Sequence, residues 1–189
     1  MPIIDIRYPE GRLDKVAKAS LAGKLTDALI RMEGGANTPR GRAFAWVLFT
    51  EMAEDDFWVG GRTDHEFVSA PGAFFVRVLI PEGYMNAAHK TEVHAWVTQA
   101  IMDVTAREAR DVGASVLVVI EEVKEGNWGA GGATISLDSI ADAVGLSKDG
   151  PRFQWSRAYF EAKSRSYALA GFPPDVGGLP PSSEKARAA

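Results

Sequence analysis

The chain has 189 residues, a formal net charge of −4, no cysteine and three histidines. The lack of cysteine excludes disulfides, thiolate metal sites and cysteine nucleophiles, and the acidic balance gives no reason to expect a nucleic acid as partner. No apolar run approaches the roughly 18–20 residues of a membrane-spanning helix, and the amino terminus lacks a secretory signal pattern. We therefore expect a cytoplasmic protein that uses no metal or other cofactor and binds neither membrane nor nucleic acid.

The chain begins Met1-Pro2, and an initiator methionine is normally removed when the second residue is small. The mature chain then starts with proline, whose amino group is a secondary amine; the ordinary pKa of an α-amino group is about 7.7–8.0. Burial in an apolar pocket lowers that pKa. Because an amine that titrates near neutral pH suits proton removal from carbon beside a carbonyl, Pro2 is the first candidate catalytic residue.

An internal repeat follows the amino terminus. Residues 3–12 read IIDIRYPEGR and residues 75–84 read FVRVLIPEGY, so the two Pro-Glu-Gly triplets lie 72 residues apart. Each extended run precedes a segment in which apolar residues recur at helical spacing, residues 21–32 in the first copy and 93–104 in the second. The repeat indicates a strand followed by a helix in each copy.

Each predicted helix leads to a second apolar strand, at residues 43–50 and 115–120, and then to an acidic loop and a Gly-Gly pair. Six features therefore recur in the same order, which indicates two tandem β-α-β units. A unit of two strands is too small to be stable alone, so we predict an α+β fold in which the units form one four-stranded sheet with two helices. We assign the first unit, the second unit, a C-terminal helical extension and a flexible tail to residues 1–72, 73–146, 147–172 and 173–189.

The second strand is apolar on both faces, since Val47 and Phe49 alternate with Trp46 and Leu48. A strand that is hydrophobic on both faces is normally buried on both faces. Two helices cover only one face, so we expect the other to be covered by further subunits of a closed oligomer. The aromatic residues within 151–170 fall at helical intervals, and we expect this extra helix to pack on a neighbouring subunit.

This order of features resembles the tautomerase superfamily, typified by 4-oxalocrotonate tautomerase. The matching elements are the proline-first strand, Glu10-Gly11-Arg12 at its end, Thr50-Glu51-Met52 closing the second strand, Phe57, and Gly60-Gly61. The doubled chain is similar to the fused branch that includes cis-3-chloroacrylic acid dehalogenase and malonate semialdehyde decarboxylase. The resemblance covers residues 2 to about 140. It implies a tautomerase or MIF-like fold, a homotrimer and an enzyme without cofactor.

The resemblance also implies roles for single residues. Pro2 matches the catalytic base, and Arg12 matches the arginine that binds a substrate carboxylate, which a guanidinium holds bidentately. Phe57 matches the aromatic residue of the apolar wall that lowers the proline pKa. Trp58, Tyr84 and Trp128 are further substrate-binding candidates. Packing in the core or at a subunit interface stays open for Phe57, Trp58 and Trp128, and Tyr84 either donates a hydrogen bond to the substrate or caps an edge of the core.

The chain departs from the family at several positions. Trp46 stands where the short members carry a second arginine, and we expect it in the core or as a plug of the pocket. Pro81 and Tyr84 replace the arginine pair of the dehalogenase. These departures disfavour the hydrolytic dehalogenase. Pro2 beside Arg12 predicts a keto–enol tautomerase that acts on a small 2-oxo or 2-hydroxy-enoate carboxylate, with the arginine binding the carboxylate while the amine moves a proton.

Two alternatives remain open on the sequence. One is a hydratase, dehalogenase or decarboxylase that uses Pro2 as an acid or as an amine, and the other is a non-catalytic oligomeric binding protein. In either case the second copy cannot repeat the chemistry of the first, because a nitrogen in mid-chain is an amide. We expect one site per chain.

Overall fold

The computed structural model describes residues 2–34, 37–64, 66–105, 112–173 and 176–179. The helices and strands, in chain order, are β1 (Ile3–Pro9), α1 (Lys15–Glu33), α2 (Pro39–Ala43), β2 (Trp46–Met52), β3 (Phe74–Pro81), α3 (Ala87–Thr105), β4 (Val116–Val123), β5 (Gly129–Ala130), β6 (Ala133–Thr134), α4 (Leu137–Val144) and α5 (Pro151–Leu169). Within these ranges, no helix combines the length and the apolar character needed to cross a membrane.

The main sheet has four strands in the order β2-β1-β3-β4. Within each copy the two strands are parallel, as a β-α-β unit requires, so the predicted four-stranded sheet is confirmed. The two copies meet through β1 and β3, which run antiparallel, with Ile3 opposite Leu79 and Arg7 opposite Phe75. Each end of the sheet is therefore built from the start of one copy and the turn of the other.

These two ends are named here for later use. The Pro2 end is the edge at which β1 and β2 begin and β3 and β4 finish. The Arg12 end is the opposite edge, where β1 and β2 finish and β3 and β4 begin.

Both long helices pack on the same face of the sheet. Alternation along the strands and helical spacing along α1 and α3 bring the apolar side chains together. Fully buried members of this core are Ile4, Ile6, Tyr8, Val76, Val78, Ile80, Leu21, Leu25, Leu29, Val97 and Ile101. Each aliphatic side chain buried in this way contributes about 1.5–3 kcal/mol relative to its exposed state. The core therefore fixes the positions of the residues at both ends of the sheet.

The helix-free face of the sheet carries large apolar side chains that remain in contact with solvent. Trp46, Leu48 and Leu117 are 51%, 48% and 60% exposed, respectively. On the same face Arg77 forms a bidentate ion pair with Glu121, at 2.8 Å for both bonds. This face retains the apolar character expected of β2, and α1 and α3 do not cover it.

The C-terminal helix α5 packs on its own chain, whereas the sequence predicted that it packs on a neighbouring subunit. Phe153 and Phe160 are each 4% exposed and belong to the core, and Ser156 between them is buried. These residues follow one another at i, i+3 and i+7, which places them on one helical stripe. The periodicity reveals that α5 has a buried face, but it does not specify which chain buries that face.

Candidate functional site

Pro2 is buried at the Pro2 end of the sheet. Its carbonyl oxygen accepts a hydrogen bond of 3.2 Å from the backbone N–H of Trp46. Because Ile3 lies opposite Leu79 in the antiparallel pair, the next position places Pro2 beside the end of β3. The second copy's turn, Glu82-Gly83-Tyr84, therefore lies at the same end as the amino terminus.

Arg12 lies at the opposite end of the sheet from Pro2 of the same chain. The seven residues of β1, at about 3.3 Å each, separate the two ends by roughly 23 Å. The guanidinium of Arg12 packs against Gly72, where a Cβ atom would lie 3.5 Å from its Cζ. The juxtaposition of Pro2 and Arg12 expected from the sequence therefore does not occur within one chain, because the antiparallel contact of β1 with β3 exchanges the turns of the copies.

Phe57 and Trp58 also lie at the Arg12 end. They line a cavity of about 630 Å³ together with Phe74, which occupies the position in the second copy that Pro2 occupies in the first. Phe74 is 1% exposed, and its nitrogen is an amide. The Arg12 end thus combines a cation and aromatic walls without an amine.

The side chains that accompany Pro2 come from the second copy. Tyr84 follows β3 and is 1% exposed, and Trp128 follows β4 and is 8% exposed. The Tyr84 hydroxyl and the Trp128 indole N–H have no hydrogen-bond partner among the described residues. Trp46, expected in the core or as a plug, is instead half exposed beside Pro2.

The site contains a buried carboxyl group, Glu33, that the sequence analysis missed. Glu33 ends α1 and is 3% exposed. Burial raises the pKa of its carboxyl, whereas Arg152 lowers it. A carboxylate at a helix C-terminus also opposes the helix dipole. A signal was available, since Glu33 continues the buried stripe of Leu25 and Leu29 at intervals of four residues.

Arg152, in the first turn of α5, is the second residue that the sequence analysis missed. It packs against Gly34, where a Cβ atom would lie 3.0 Å from its Cδ. Burial lowers the pKa of its guanidinium, although Glu92, Tyr84 and Glu33 act in the opposite direction. Arg152 precedes the buried Ser156 and Phe160 by four and eight residues, so it lies on the same stripe of the helix. A charged residue on a buried stripe was the sequence signal that could have identified it.

The phenol of Tyr84 lies within the electrostatic field of these groups. Burial raises its pKa, the carboxylates of Glu33 and Glu125 raise it further, and Arg152 opposes them. Tyr84 is therefore a neutral hydrogen-bond donor at physiological pH. Glu125 itself is 2% exposed and accepts a 2.8 Å hydrogen bond from the backbone N–H of Leu137, which begins α4.

Helix α5 is held at the Pro2 end by Glu82. One carboxylate oxygen, Oε1, accepts hydrogen bonds from the Tyr159 hydroxyl at 2.8 Å and from Lys163 Nζ at 2.5 Å. Gly83 allows this approach: it has a φ of +73°, and a Cβ atom there would lie 2.5 Å from Cδ1 of Tyr159. The anchoring of α5 determines where Arg152 lies.

Within the described part of the chain, no three His, Cys, Asp or Glu side chains are grouped to hold a metal ion. The groups that the structure places at the Pro2 end are a buried carboxyl, a guanidinium and two neutral donors. Such a set can move a proton and bind an anion.

Comparison with solved structures gives a consistent fold. A fused 4-OT described as a wild type symmetric trimer is 19% identical, with a TM-score of 0.56 over 72% of this chain and 97% of the other. N1, a member of the cis-3-chloroacrylic acid dehalogenase family, is 17% identical, with a TM-score of 0.56 over 90% of this chain and 99% of the other. Macrophage migration inhibitory factor from Toxoplasma gondii is 14% identical, with a TM-score of 0.54 over 70% and 99%. At these identities the likeness shows the fold alone.

No curated protein matches the chain. The family model described as "Putative oxalocrotonate tautomerase enzyme" matches residues 1–137, which include Pro2, both Glu-Gly turns and all four strands of the main sheet. Helix α5 lies outside the matched range. The chain belongs to this family and is a fused, two-unit member of the tautomerase superfamily.

Proposed function

We propose that the protein is a keto–enol tautomerase that acts on a small 2-oxo acid, with the amine of Pro2 as the general base after removal of Met1. The observation that carries the proposal is the burial of Pro2 beside Glu33, Tyr84 and Trp128 at one end of the sheet. Family membership over a range that includes Pro2 supports it.

The proposed reaction moves one proton within the substrate. The Pro2 nitrogen takes the proton from the hydroxyl of an enol such as phenylenolpyruvate and delivers a proton to C3, which gives the 2-oxo form. Negative charge develops on the enol oxygen, and the neutral phenol of Tyr84 is a suitable donor to it. Atoms and electrons balance within the substrate, so the transfer needs no cofactor.

The protonation state of Pro2 depends on two opposing effects. Burial favours the neutral amine and lowers its pKa, whereas a carboxylate beside an amine favours the ammonium form. If Glu33 dominates, Pro2 is protonated at neutral pH and acts as an acid, which suits hydration or decarboxylation. This second function is proposed because α1 ends at the Pro2 end with the buried carboxyl of Glu33. The solved structure N1, from the cis-3-chloroacrylic acid dehalogenase family, shares the fold.

The experiment uses two changes that affect the amine in different ways. Mass spectrometry first establishes that the purified chain begins with proline. Pro2→Ala, which replaces the rigid secondary amine with a flexible primary one, should lower the tautomerisation rate by about 10²–10⁴-fold, the range of positioned acid–base groups. Insertion of a lysine between Met1 and Pro2 retains the proline ring but converts its nitrogen into an amide, and should remove activity.

The control is Pro39→Ala, at an exposed proline that begins α2. It should leave the rate unchanged. A Pro2→Ala variant with the wild-type rate would refute the amine as base. A pH–rate profile then separates the two functions, since a pKa near or below 7 supports the base and a pKa near 9 supports the acid.

We also propose that the protein is a homotrimer. The exposed apolar residues Trp46, Leu48 and Leu117 form a face whose contact with water is unfavourable. A fused 4-OT of the same fold is described as a symmetric trimer. Light scattering at micromolar concentration should give three times the chain mass. Leu48→Glu should shift the protein toward the monomer, whereas Leu169→Glu, on an exposed position of α5, should not. A stable wild-type monomer would contradict the proposal.

The assignment of Arg12, Phe57 and Trp58 to substrate binding stays a prediction. These residues lie at the Arg12 end, so they can serve a proline only if that proline belongs to another chain of the oligomer. Within one chain, Tyr84 and Trp128 are the predicted substrate-binding residues that share an end with Pro2.

A further inference from the structure

The Pro2 end has lost the arginine that the family places in its turn, since Tyr84 stands in the second copy where Arg12 stands in the first. A 2-oxo acid carries a carboxylate, and a neutral phenol does not balance its charge. If the proposed function holds, another cation must bind the substrate.

Arg152 has the properties that such a cation needs. The Nε atom of its guanidinium is buried and has no hydrogen-bond partner among the described residues. A charged group withdrawn from water is costly unless it is paired, and a guanidinium keeps its charge at all relevant pH values. The other cation of α5 at this end, Lys163, is already bound to Glu82.

The position of Arg152 is fixed by packing. Its stem contacts Gly34 at the end of α1, one residue after Glu33. Arg152 is also close enough to Tyr84 to affect the pKa of the phenol. Glu33 and Glu92 act on the guanidinium electrostatically, but no described residue forms a hydrogen bond with its Nε atom.

Two further donors at the Pro2 end lack partners. Four buried polar side-chain atoms have no hydrogen bond within the described ranges, and three of them, on Tyr84, Trp128 and Arg152, belong to this end. All three can donate a hydrogen bond. A 2-oxo acid presents three oxygen acceptors, two on its carboxylate and one on the adjacent carbonyl, so the number and type of the donors match this class of ligand.

We infer that Arg152 of α5 binds the carboxylate of the substrate at the Pro2 end, with Tyr84 and Trp128 supplying the remaining donors. The inference rests on the proposed function for the identity of the substrate. It favours a 2-oxo monocarboxylate with an apolar tail, because the single guanidinium of Arg152 matches one carboxylate, and the aromatic rings of Trp46 and Trp128 lie at the same end.

The test measures binding separately from catalysis. The probes are 3-phenylpropanoate and its neutral analogue 3-phenylpropanamide, titrated calorimetrically into the mature protein. Arg152→Gln should weaken binding of the carboxylate by at least tenfold, which corresponds to about 1.4 kcal/mol, and leave binding of the amide within twofold. Arg152→Lys should give an intermediate affinity, since it keeps the charge but not the fork. The matched control is Arg157→Gln, an exposed arginine on the same helix, which should bind as wild type does.

Thermal unfolding of each variant identifies any loss of structure, and Arg152→Lys keeps the test valid if Arg152→Gln unfolds. Equal affinity of wild type and the folded Arg152 variants for the carboxylate overturns the inference, as does equal weakening of acid and amide. In phenylpyruvate tautomerisation, Arg152→Gln should raise KM with little change in kcat. Arg152-dependent binding in a wild-type protein without tautomerase activity supports the inference and refutes the proposed function. Full activity with an unchanged KM in Arg152→Gln supports the proposed function and refutes the inference.

Discussion

The charge on Glu82 is expected to hold α5 to the rest of the molecule, and Glu82→Gln tests this. Glu82 and Lys163 are 12% and 13% exposed, so their ion pair is largely withdrawn from water. Glutamine keeps the shape and can still accept from the Tyr159 hydroxyl, but Lys163 loses its counter-charge. A hydrogen bond to a charged group contributes about 1.5–3 kcal/mol, and breaking a fully buried pair costs about 3–5 kcal/mol. For this nearly buried pair we expect a loss of about 2–3 kcal/mol.

The assays are urea unfolding and thermal unfolding, both followed by circular dichroism at one protein concentration so that self-association is held constant. In a chain of this size each kcal/mol changes Tm by about 2–4 °C, so Glu82→Gln should lower Tm by about 4–12 °C. Glu161→Gln removes an exposed carboxylate from α5 and should change stability by less than about 0.5 kcal/mol. If both variants unfold at the same urea concentration, the Glu82 pair does not hold α5 and the reasoning is refuted.

The same pair predicts a pH dependence. Burial raises the pKa of Glu82, but hydrogen bonds from Lys163 and Tyr159 outweigh burial, so the pKa in the folded protein lies below its ordinary value of 4.5. A carboxyl with a lowered pKa contributes stability above its ordinary pKa and loses it as the pH falls. The difference in unfolding free energy between wild type and Glu82→Gln should be complete at pH 7 and shrink below about pH 4.5.

Two further predictions concern the Pro2 end. Burial raises the pKa of Glu33, and such a carboxyl destabilises the fold increasingly as the pH rises. In urea unfolding, Glu33→Gln should therefore gain stability relative to wild type between pH 5 and 8. The same variant should lower the pKa of the Pro2 amine in the pH–rate profile. Gly83→Ala should cost about 1–3 kcal/mol more than Gly126→Ala, because both glycines have positive φ but only the Cβ at Gly83 collides with a ring of α5; equal losses in thermal unfolding would show that the contact is not required.

The fold could be predicted because its signals are local and occur twice. Alternation of apolar residues defines the strands, helical spacing defines α1 and α3, and the repeated Pro-Glu-Gly triplets align the copies. The composition of the site was less accessible. Sequence similarity placed Pro2 with Arg12 since both belong to one copy, but the antiparallel contact of β1 with β3 separates them. The periodicity of the strands does not show which of them pair, and the opposite charges of Asp5 and Arg77 become neighbours only in the antiparallel register.

Glu33 and Arg152 escaped prediction for a different reason. Both residues interrupt an apolar helical stripe with a charge, and such a position can equally face solvent at the end of a helix. Their significance depends on packing between α1 and α5, which are more than 100 residues apart in the chain. The family resemblance could not supply Arg152, because the match ends at residue 137.

The antiparallel arrangement of the copies has an evolutionary consequence. A dimer of two identical β-α-β chains carries the same turn at both ends, so one mutation alters both. In the fused chain, a change at residue 12 reaches only one end, and a change at residue 84 reaches only the other. In the fused chain, the turn residue at each end is therefore encoded separately. The two ends of this chain do differ, with Arg12 in the turn at one end and Tyr84 in the turn at the other.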